Sequence, residues 1–207
     1  PGLAAVSDSL TALRTLCFED EDCGQDFGGE SEEKPKGEVF GKFSKERILA
    51  GLRTNFADDA ILRAALINRA PKYGNDDDRA DETMAWLCER MCRIISSCPH
   101  PSGSCLRPGL FSYLEFMDGE RCAALPDGHR ARQPFANGVS PAHGRDREGL
   151  TAMLRSAAKL DYSLSNNAAT LDVKLPLKLF SGENGVRTLS RILQTFFRDG
   201  GMQVQLY

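Results

Sequence analysis

Helix-like and strand-like stretches alternate in the second half of the chain, and this alternation restricts the folds available to it. Apolar residues recur every three or four positions in Val186–Phe197, which predicts a helix. Gly200-Gly201 would end that helix, and the alternating pattern of Met202–Tyr207 then predicts a half-buried strand. Thr170–Leu175 alternates weakly and is interpreted as another strand. Strands separated by helices favour an α/β fold.

The first half of the chain is predicted to be mainly helical. One amphipathic helix is indicated by apolar residues at helical spacing: Leu3, Val6, Leu10, Leu13 and Cys17. Ser44 can cap a second helix, and Asp58 or Asp59 can start a third. Longer helical patterns follow from Met84 to Ile95 and over Arg147–Leu160.

Between these helices, the stretch "LFSYLEFM" (Leu110–Met117) is apolar or aromatic at nearly every position. Such a run is typical of a buried strand. Three turn signals come after it: Asp118-Gly119, Pro126-Asp127-Gly128 and Asn137-Gly138.

Composition limits the classes of protein that the chain can represent. Its 207 residues are 41% hydrophobic, which is enough for one substantial core or two small ones. The net charge is −3 without a block of lysine and arginine, which disfavours a nucleic-acid partner. No apolar run reaches the ~18 residues of a membrane span. Seven cysteines, without a signal segment, are interpreted mostly as reduced thiols, so we expect a cytoplasmic protein.

Three regions are expected along the chain. Residues 1–18 would form a helix that continues from an N-terminal part outside this sequence. Residues 19–43, rich in acid and glycine and poor in large apolar side chains, are expected to be an exposed insertion. Residues 44–207 would form the main domain.

The acidic run Asp76–Asp78 follows a Gly-Asn pair, which raises the question of a calcium loop. The ligand register of an EF-hand does not fit, because Gly74 precedes the acids instead of lying among them. We therefore expect one of these aspartates to cap the helix that leads into Trp86.

Other groupings leave chemical alternatives open. Five potential metal ligands are close in sequence, although their spacing matches no common zinc or iron–sulfur pattern: Cys88, Cys92, Cys98, His100 and Cys105. A cysteine nucleophile would need a base, and the sequence couples none of the histidines to a thiol. Ser140 and His143 lack the G-x-S-x-G context of a hydrolase elbow. Gly138, Gly144 and Gly149 precede no Walker lysine and are interpreted as turns.

Three motifs nevertheless occur in a specific order: "APKYGNDDDRADE", "PDGHRARQPFANGVSPAHGRDREGLTAMLRSAAKLDYS" and "FFRDGGMQVQ". They resemble the C-terminal half of glycyl radical enzymes, the family of pyruvate formate-lyase, radical diol dehydratases, choline lyase and arylacetate decarboxylases. The resemblance covers residues 45–207, and Leu3–Phe18 extends it. "GVSPAHGRD" is closer to the dehydratase and lyase branch.

This resemblance implies a partial α/β barrel, a half-barrel with flanking helices. It also implies a thiyl radical mechanism, in which a glycine radical takes a hydrogen atom from a cysteine and the thiyl radical then acts on a small polar organic substrate. A separate radical S-adenosylmethionine activase with an iron–sulfur cluster would install the glycyl radical. The complete enzyme would be a homodimer that binds neither nucleic acid nor membrane, and no bound cofactor is expected.

The family's G-C-V-E cysteine motif and R-V-[AS]-G-[YF] glycine motif do not occur in this sequence. No catalytic residue is therefore assigned, and the chain alone is expected to be an inactive fragment completed by other parts of the enzyme. Ser140, His143 and Thr151 are the candidate substrate-binding residues. Several positions depart from the family pattern; Asp172, for example, stands where L-N-Q-K-F-x-P has asparagine. A non-catalytic scaffold or binding protein derived from this fold is the alternative.

Overall fold

The structure is a computed structural model that describes residues 2–18 and 42–207. The helices are α1 (Leu3–Leu16), α2 (Lys45–Arg53), α3 (Ala60–Asn68), α4 (Asp78–Ser97), α5 (Glu115–Glu120), α6 (Leu150–Ala158), α7 (Leu177–Phe180) and α8 (Gly182–Arg198). A 3-10 turn spans Tyr162–Leu164, and the strands are β1 (Gly109–Leu110), β2 (Ala168–Val173) and β3 (Gln203–Leu206). None of the helices in the described ranges is long and apolar enough to cross a membrane.

The strands form one small parallel sheet in the order β1-β2-β3. Gly109 pairs with Ala168 at one side of β2, and Thr170 pairs with Gln203 at the other. Helices separate all three strands along the chain, as a parallel arrangement requires. The predicted α/β class is therefore confirmed, as a partial domain with a small parallel sheet and helices.

Side-chain caps start three of the helices where the sequence predicts them. Ser44 accepts a hydrogen bond from the Arg47 N–H at 3.2 Å, and Asp59 accepts one from the Leu62 N–H at 2.8 Å. Asp77 caps α4, which confirms that the acidic run begins a helix. These caps satisfy N–H groups that have no partner inside the helix.

Two hydrophobic cores lie beside each other. The larger core includes Tyr73, Met84, Val139 and Leu171, which join α4 and the sheet to the loops between them. The smaller core includes Leu16, Phe56, Leu62 and Leu66 from α1, α2, α3 and their connections, and Phe43 also lies in it. Phe43 is the last residue of the expected insertion; residues 19–41 of that insertion lie outside the described residues.

Helix α1 is confirmed, but its predicted apolar face is wrong. Val6 and Leu10 are 44% and 40% exposed, whereas Ser7, Asp8 and Thr11 are buried. The cause is a polar contact that periodicity does not reveal, because Asp8 Oδ1 accepts a hydrogen bond from the Tyr73 N–H at 2.9 Å. Small and polar side chains of α1 therefore face the protein interior.

The buried strand predicted over Leu110–Met117 is also wrong. Only Gly109–Leu110 is extended in the sheet, and Tyr113 and Phe116 are 87% and 60% exposed. The chain leaves the sheet after Leu110, where the Ser112 N–H donates to Asn137 Oδ1 at 2.9 Å. Helix α5 follows and includes Asp118-Gly119, which was predicted to be a turn.

The remaining helices and strands agree more closely with those predicted from the sequence. The helix predicted over Arg147–Leu160 begins at Leu150, after Gly149, and α8 extends the prediction for Val186–Phe197 at both ends. Strand β2 is confirmed with slightly different limits. Strand β3 is confirmed as a strand but is more exposed than half-buried, because only Val204 is partly covered.

Candidate functional site

The carboxyl ends of the three parallel strands bring several polar side chains together. Ligands of parallel α/β sheets usually bind beyond this edge, because the strands end there and the following loops surround a crevice. Glu115 follows β1, Asp172 lies near the end of β2, and Tyr207 follows β3. Desolvation raises the pKa of Tyr207, and the negative charges of Asp172 and Glu115 raise it further.

The segment from Asn137 to Ser140 crosses the sheet at this edge. The Val139 N–H donates to the Thr170 carbonyl oxygen at 3.0 Å. Gly138 has a φ of +54°, and a Cβ atom there would overlap the carbonyl oxygens of Leu110 and Thr170. Glycine is therefore required both by its backbone conformation and by the close approach of β1 and β2.

Asn137 connects the first two strands through its side chain. Its Oδ1 accepts from the Ser112 N–H at 2.9 Å, and its Nδ2 donates to Asp172 Oδ1 at 3.4 Å. The sequence indicated Asn137 only as part of a turn, because neither partner is a neighbour along the chain. Its role here is to hold the loop after β1 beside the Asp172 carboxylate.

Ser140 lies at the same edge and is buried. Its Oγ accepts a hydrogen bond from the Asp172 N–H at 2.8 Å. A serine hydroxyl that accepts in this way still has its own hydrogen to donate. Ser140 therefore has a structural hydrogen bond and one remaining donor.

His143 is exposed, and a backbone contact defines which of its ring nitrogens carries a hydrogen in the neutral form. Its Nε2 lies 3.0 Å from the Phe135 carbonyl oxygen, which can only accept, so Nε2 must donate the hydrogen. In the neutral ring Nδ1 is then an acceptor. The Phe135 ring is stacked on His129 at a centroid distance of 5.0 Å, and the Phe135 N–H donates to the Glu115 carbonyl oxygen at 3.3 Å.

Thr151 lies on the first turn of α6 and is exposed. It lines a groove of about 420 Å³ between α6 and α8, whose floor includes Leu154 and Phe196. Ser140 and His143 do not line this groove. The structure thus places Ser140 and His143 in the loop that crosses the strand ends and Thr151 in a separate groove.

Two carboxylates at the strand ends were missed by the sequence interpretation. Burial raises the pKa of Asp172, and the negative charge of Glu115 raises it further; Asn137, His143 and Lys174 act in the opposite direction. Glu115 Oε2 is buried and has no hydrogen-bond partner among the described residues. No sequence signal distinguished Glu115, because it stood inside the wrongly predicted strand.

The Asp76–Asp78 run is occupied by structural contacts. Lys159 Nζ lies 2.9 Å from Asp76, 2.7 Å from Asp78 and 2.7 Å from the buried Asp81. Lys159, through a hydrogen bond, is the main cause of the lowered pKa of Asp76. The run also borders a polar cleft of about 690 Å³, which includes Arg145. Its carboxylates therefore cap α4 and attach it to the end of α6.

The cysteine and histidine group does not assemble. Cys88 and Cys92 are buried on α4, and burial raises the pKa of Cys88 to about 12. Cys98 and Cys105 are exposed, and His100 Nδ1 is 2.7 Å from Ser102 Oγ. Within residues 2–18 and 42–207, no three His, Cys, Asp or Glu side chains are placed to hold a metal ion.

Two family models match the chain in sequence order. The first, described as pyruvate formate lyase-like, matches residues 36–115, and the second, described as glycine radical, matches residues 135–207. Together they include both strand-end carboxylates and the segment that crosses the sheet.

Curated relatives and solved structures agree with these models. Trans-4-hydroxy-L-proline dehydratase of Clostridioides difficile is 26% identical over 205 residues, which are 99% of this chain and 23% of that protein. The probable dehydratase YbiW of Escherichia coli strain K12 is 30% identical over 207 residues, and the match covers 95% of this chain and 23% of that protein. The glycerol-bound B12-independent glycerol dehydratase from Clostridium butyricum superposes with a TM-score of 0.84 at 29% identity. The superposition covers 99% of this chain and 23% of the dehydratase chain.

The chain therefore spans about a quarter of the length of its curated relatives. The matched models, the ordered motifs and the superposition on glycerol dehydratase lead to one conclusion. This chain belongs to the glycyl radical enzyme family.

Proposed function

We propose that the chain is part of a radical dehydratase or lyase that acts on a small polar organic substrate. The observation that supports this most directly is the match of residues 135–207 to the glycine radical model, together with dehydratases that align with nearly the whole chain. In the proposed reaction a thiyl radical removes a hydrogen atom from the substrate. The cysteine and the radical glycine would come from other parts of the enzyme, since their motifs do not occur in this sequence.

The contribution of this chain would be to bind and orient the substrate at the strand ends. Ser140 can donate its hydroxyl hydrogen, because its acceptor lone pair already receives the Asp172 N–H. His143 can accept a hydrogen bond at Nδ1, because Nε2 donates to the Phe135 carbonyl oxygen. A substrate hydroxyl, which both donates and accepts, matches this combination. Thr151 is proposed to bind a part of the substrate that reaches the groove between α6 and α8.

The partners follow from the same proposal. A radical S-adenosylmethionine activase would install the glycyl radical, and the complete enzyme would be a cytoplasmic homodimer. The scaffold alternative requires neither a radical nor a substrate, so the two readings differ in a measurable way.

The test is anaerobic reconstitution of the chain with the polypeptide that carries both radical motifs, followed by treatment with the activase. We expect a glycyl radical in the electron paramagnetic resonance spectrum and conversion of a diol to an aldehyde. His143→Ala should lower kcat/KM roughly 10–100-fold without reducing the radical signal. His100→Ala, in the exposed loop between Cys98 and Cys105, is the matched control and should retain full activity. A folded complex with neither radical nor product would favour the scaffold.

A further inference from the structure

We propose that the groove between α6 and α8 binds a small amphipathic carboxylate, a molecule with a short apolar chain and one carboxylate group. The proposed function gives a role only to Thr151 in this groove. The apolar floor and three arginines on the rim, which have no role in that function, carry the inference.

The first observation is the size and the floor of the groove. Its volume of about 420 Å³ lies in the range of roughly 300–1,000 Å³ that is typical of small-molecule sites. Leu154 and Phe196 are buried in its floor, and Ala158 and Ile192 line it as partly buried side chains. This floor favours the apolar part of a ligand, because binding there removes apolar surface from water.

The second observation is the arrangement of the arginines on the rim. Arg155 follows Thr151 by four residues on α6, and Arg198 follows Arg191 by seven residues on α8. Residues at these spacings lie on one side of a helix. Each helix therefore contributes guanidinium groups to the same groove, and a ligand in the groove would lie between cationic side chains of both helices.

The third observation is that the positive charge of the rim is poorly neutralised. Arg191 forms no ion pair with any residue in the described part of the chain. Arg155 and Arg198 each have a contact of 3.3 Å with one carboxylate, that of Asp76 and that of Asp199. Exposed ion pairs of this kind contribute little free energy. Among the described residues, Asp199 is also the only acid that lines the groove.

A carboxylate complements this rim better than an ammonium or a hydroxyl group does. Its two oxygens can accept parallel hydrogen bonds from one guanidinium, and such charge-assisted bonds are about twice as strong as neutral ones. The rim would repel an ammonium, and a hydroxyl group has no charge for it to attract. The floor and the rim together therefore select a ligand that is apolar at one end and anionic at the other.

The test compares hexanoate, hexylammonium and acetate at pH 7 through the amide chemical shifts of the 207-residue chain. We expect hexanoate to shift amides of α6 and α8 and to bind at least about tenfold more tightly than the other two. Acetate lacks the apolar chain, and hexylammonium has the opposite charge. Each methylene added between acetate and hexanoate should raise the affinity by up to about fourfold, because it buries apolar surface against the floor.

Arg191→Gln tests the rim, because it removes the guanidinium that has no ion pair. It should weaken hexanoate binding about tenfold. Arg187→Gln is the matched control, because Arg187 is exposed on the same helix and does not line the groove. This control should bind hexanoate as the unaltered chain does, and the dispersion of the same spectra shows that each variant is folded.

Three outcomes would overturn the inference. Equal affinity for hexanoate and hexylammonium would show that the rim does not select charge. Equal hexanoate affinity in Arg191→Gln and the unaltered chain would show that this guanidinium does not contact the ligand. Shifts confined to the exposed loop after β1, around Tyr113 and Phe116, would place hexanoate outside the groove.

The outcome is separable from that of the proposed function. Hexanoate binding requires neither the radical nor the activase, so it can be measured on this chain alone. A reconstituted enzyme that forms the radical and converts a diol, together with a chain that does not bind hexanoate, would overturn only the carboxylate site. The reverse pair of results would overturn the proposed function and leave the carboxylate site standing.

Discussion

Asp8 is a buried acid in the interface between α1 and the loop before α4. Its Oδ1 receives the Tyr73 N–H, but its Oδ2 has no partner among the described residues. Burial raises the pKa of Asp8 from 3.8 to about 7, an effect partly opposed by the Tyr73 hydrogen bond and the charge of Lys72 and increased by the charge of Asp127. The ionised form is thus less compatible with the folded state than the protonated form.

This property predicts a fall in stability with rising pH. Between about pH 4 and pH 7 the folded state keeps a proton on Asp8 that the unfolded state has released. The contribution of this proton to the free energy of unfolding is therefore fully present below about pH 4 and is lost as the pH rises through about 7. Asp8→Asn keeps the Oδ1 acceptor and removes the charge. Urea unfolding should show the variant to be more stable than the unaltered chain at pH 8, by roughly 2–4 kcal/mol, and nearly equal to it at pH 4.

The control for Asp8→Asn is Asp58→Asn, which removes the same charge from an exposed position. Its unfolding free energy should follow that of the unaltered chain at both pH values. A pH profile that is the same for Asp8→Asn and the unaltered chain would show that Asp8 is already neutralised by its neighbours.

At the scale of elements, the crossing segment joins β1 and β2 through backbone contacts. Gly138→Ala would place a methyl group against the carbonyl oxygens of Leu110 and Thr170 and would also strain a φ of +54°. We expect a loss of roughly 3 kcal/mol or more in the free energy of unfolding, since strain and overlap add.

Gly144→Ala isolates the contribution of backbone strain. Gly144 has a φ of +70°, but a Cβ there would meet no atom within 4 Å. This variant should lose only about 1 kcal/mol in urea unfolding. Equal losses in Gly138→Ala and Gly144→Ala would contradict the close approach of the strands at Gly138.

The elements show which parts of the fold are accessible to sequence interpretation. Helix starts at Ser44, Asp59 and Asp77 were predictable because a cap bonds a backbone N–H two or three residues away. The contacts of Asp172 with Ser140 and Asn137 span 32 and 35 residues, and no local pattern encodes them. The polar interior face of α1 was missed for the same reason, because Asp8 contacts Tyr73 across 65 residues.

At the scale of the whole molecule, an aromatic patch lies exposed beside the sheet. It consists of residues from the loop after β1 and the start of α5, all at least 36% exposed: Phe111, Tyr113, Leu114, Phe116 and Met117. Contiguous apolar surfaces of this kind usually mark contact with other protein. The chain spans about a quarter of its relatives' length, which is consistent with further polypeptide covering the patch.

The isolated chain should therefore self-associate. We expect its mass in sedimentation equilibrium to rise above 22.7 kDa with concentration. Leu114→Ser/Phe116→Ser should lower this association, whereas Ile61→Ser, which changes an exposed residue on α3, should not. A mass that stays at 22.7 kDa at every concentration would favour an independent scaffold protein.

Helix α1 contributes to both cores, with Leu3 and Ala4 in the larger and Ala12 and Leu16 in the smaller. Neither core can lose this helix without exposing apolar surface of the other. The two cores are thus thermodynamically linked, and the free energy of opening one core locally includes the loss of contacts in the other. A ligand bound at the strand ends, beside the larger core, would consequently slow hydrogen exchange in α3, a helix that it never touches.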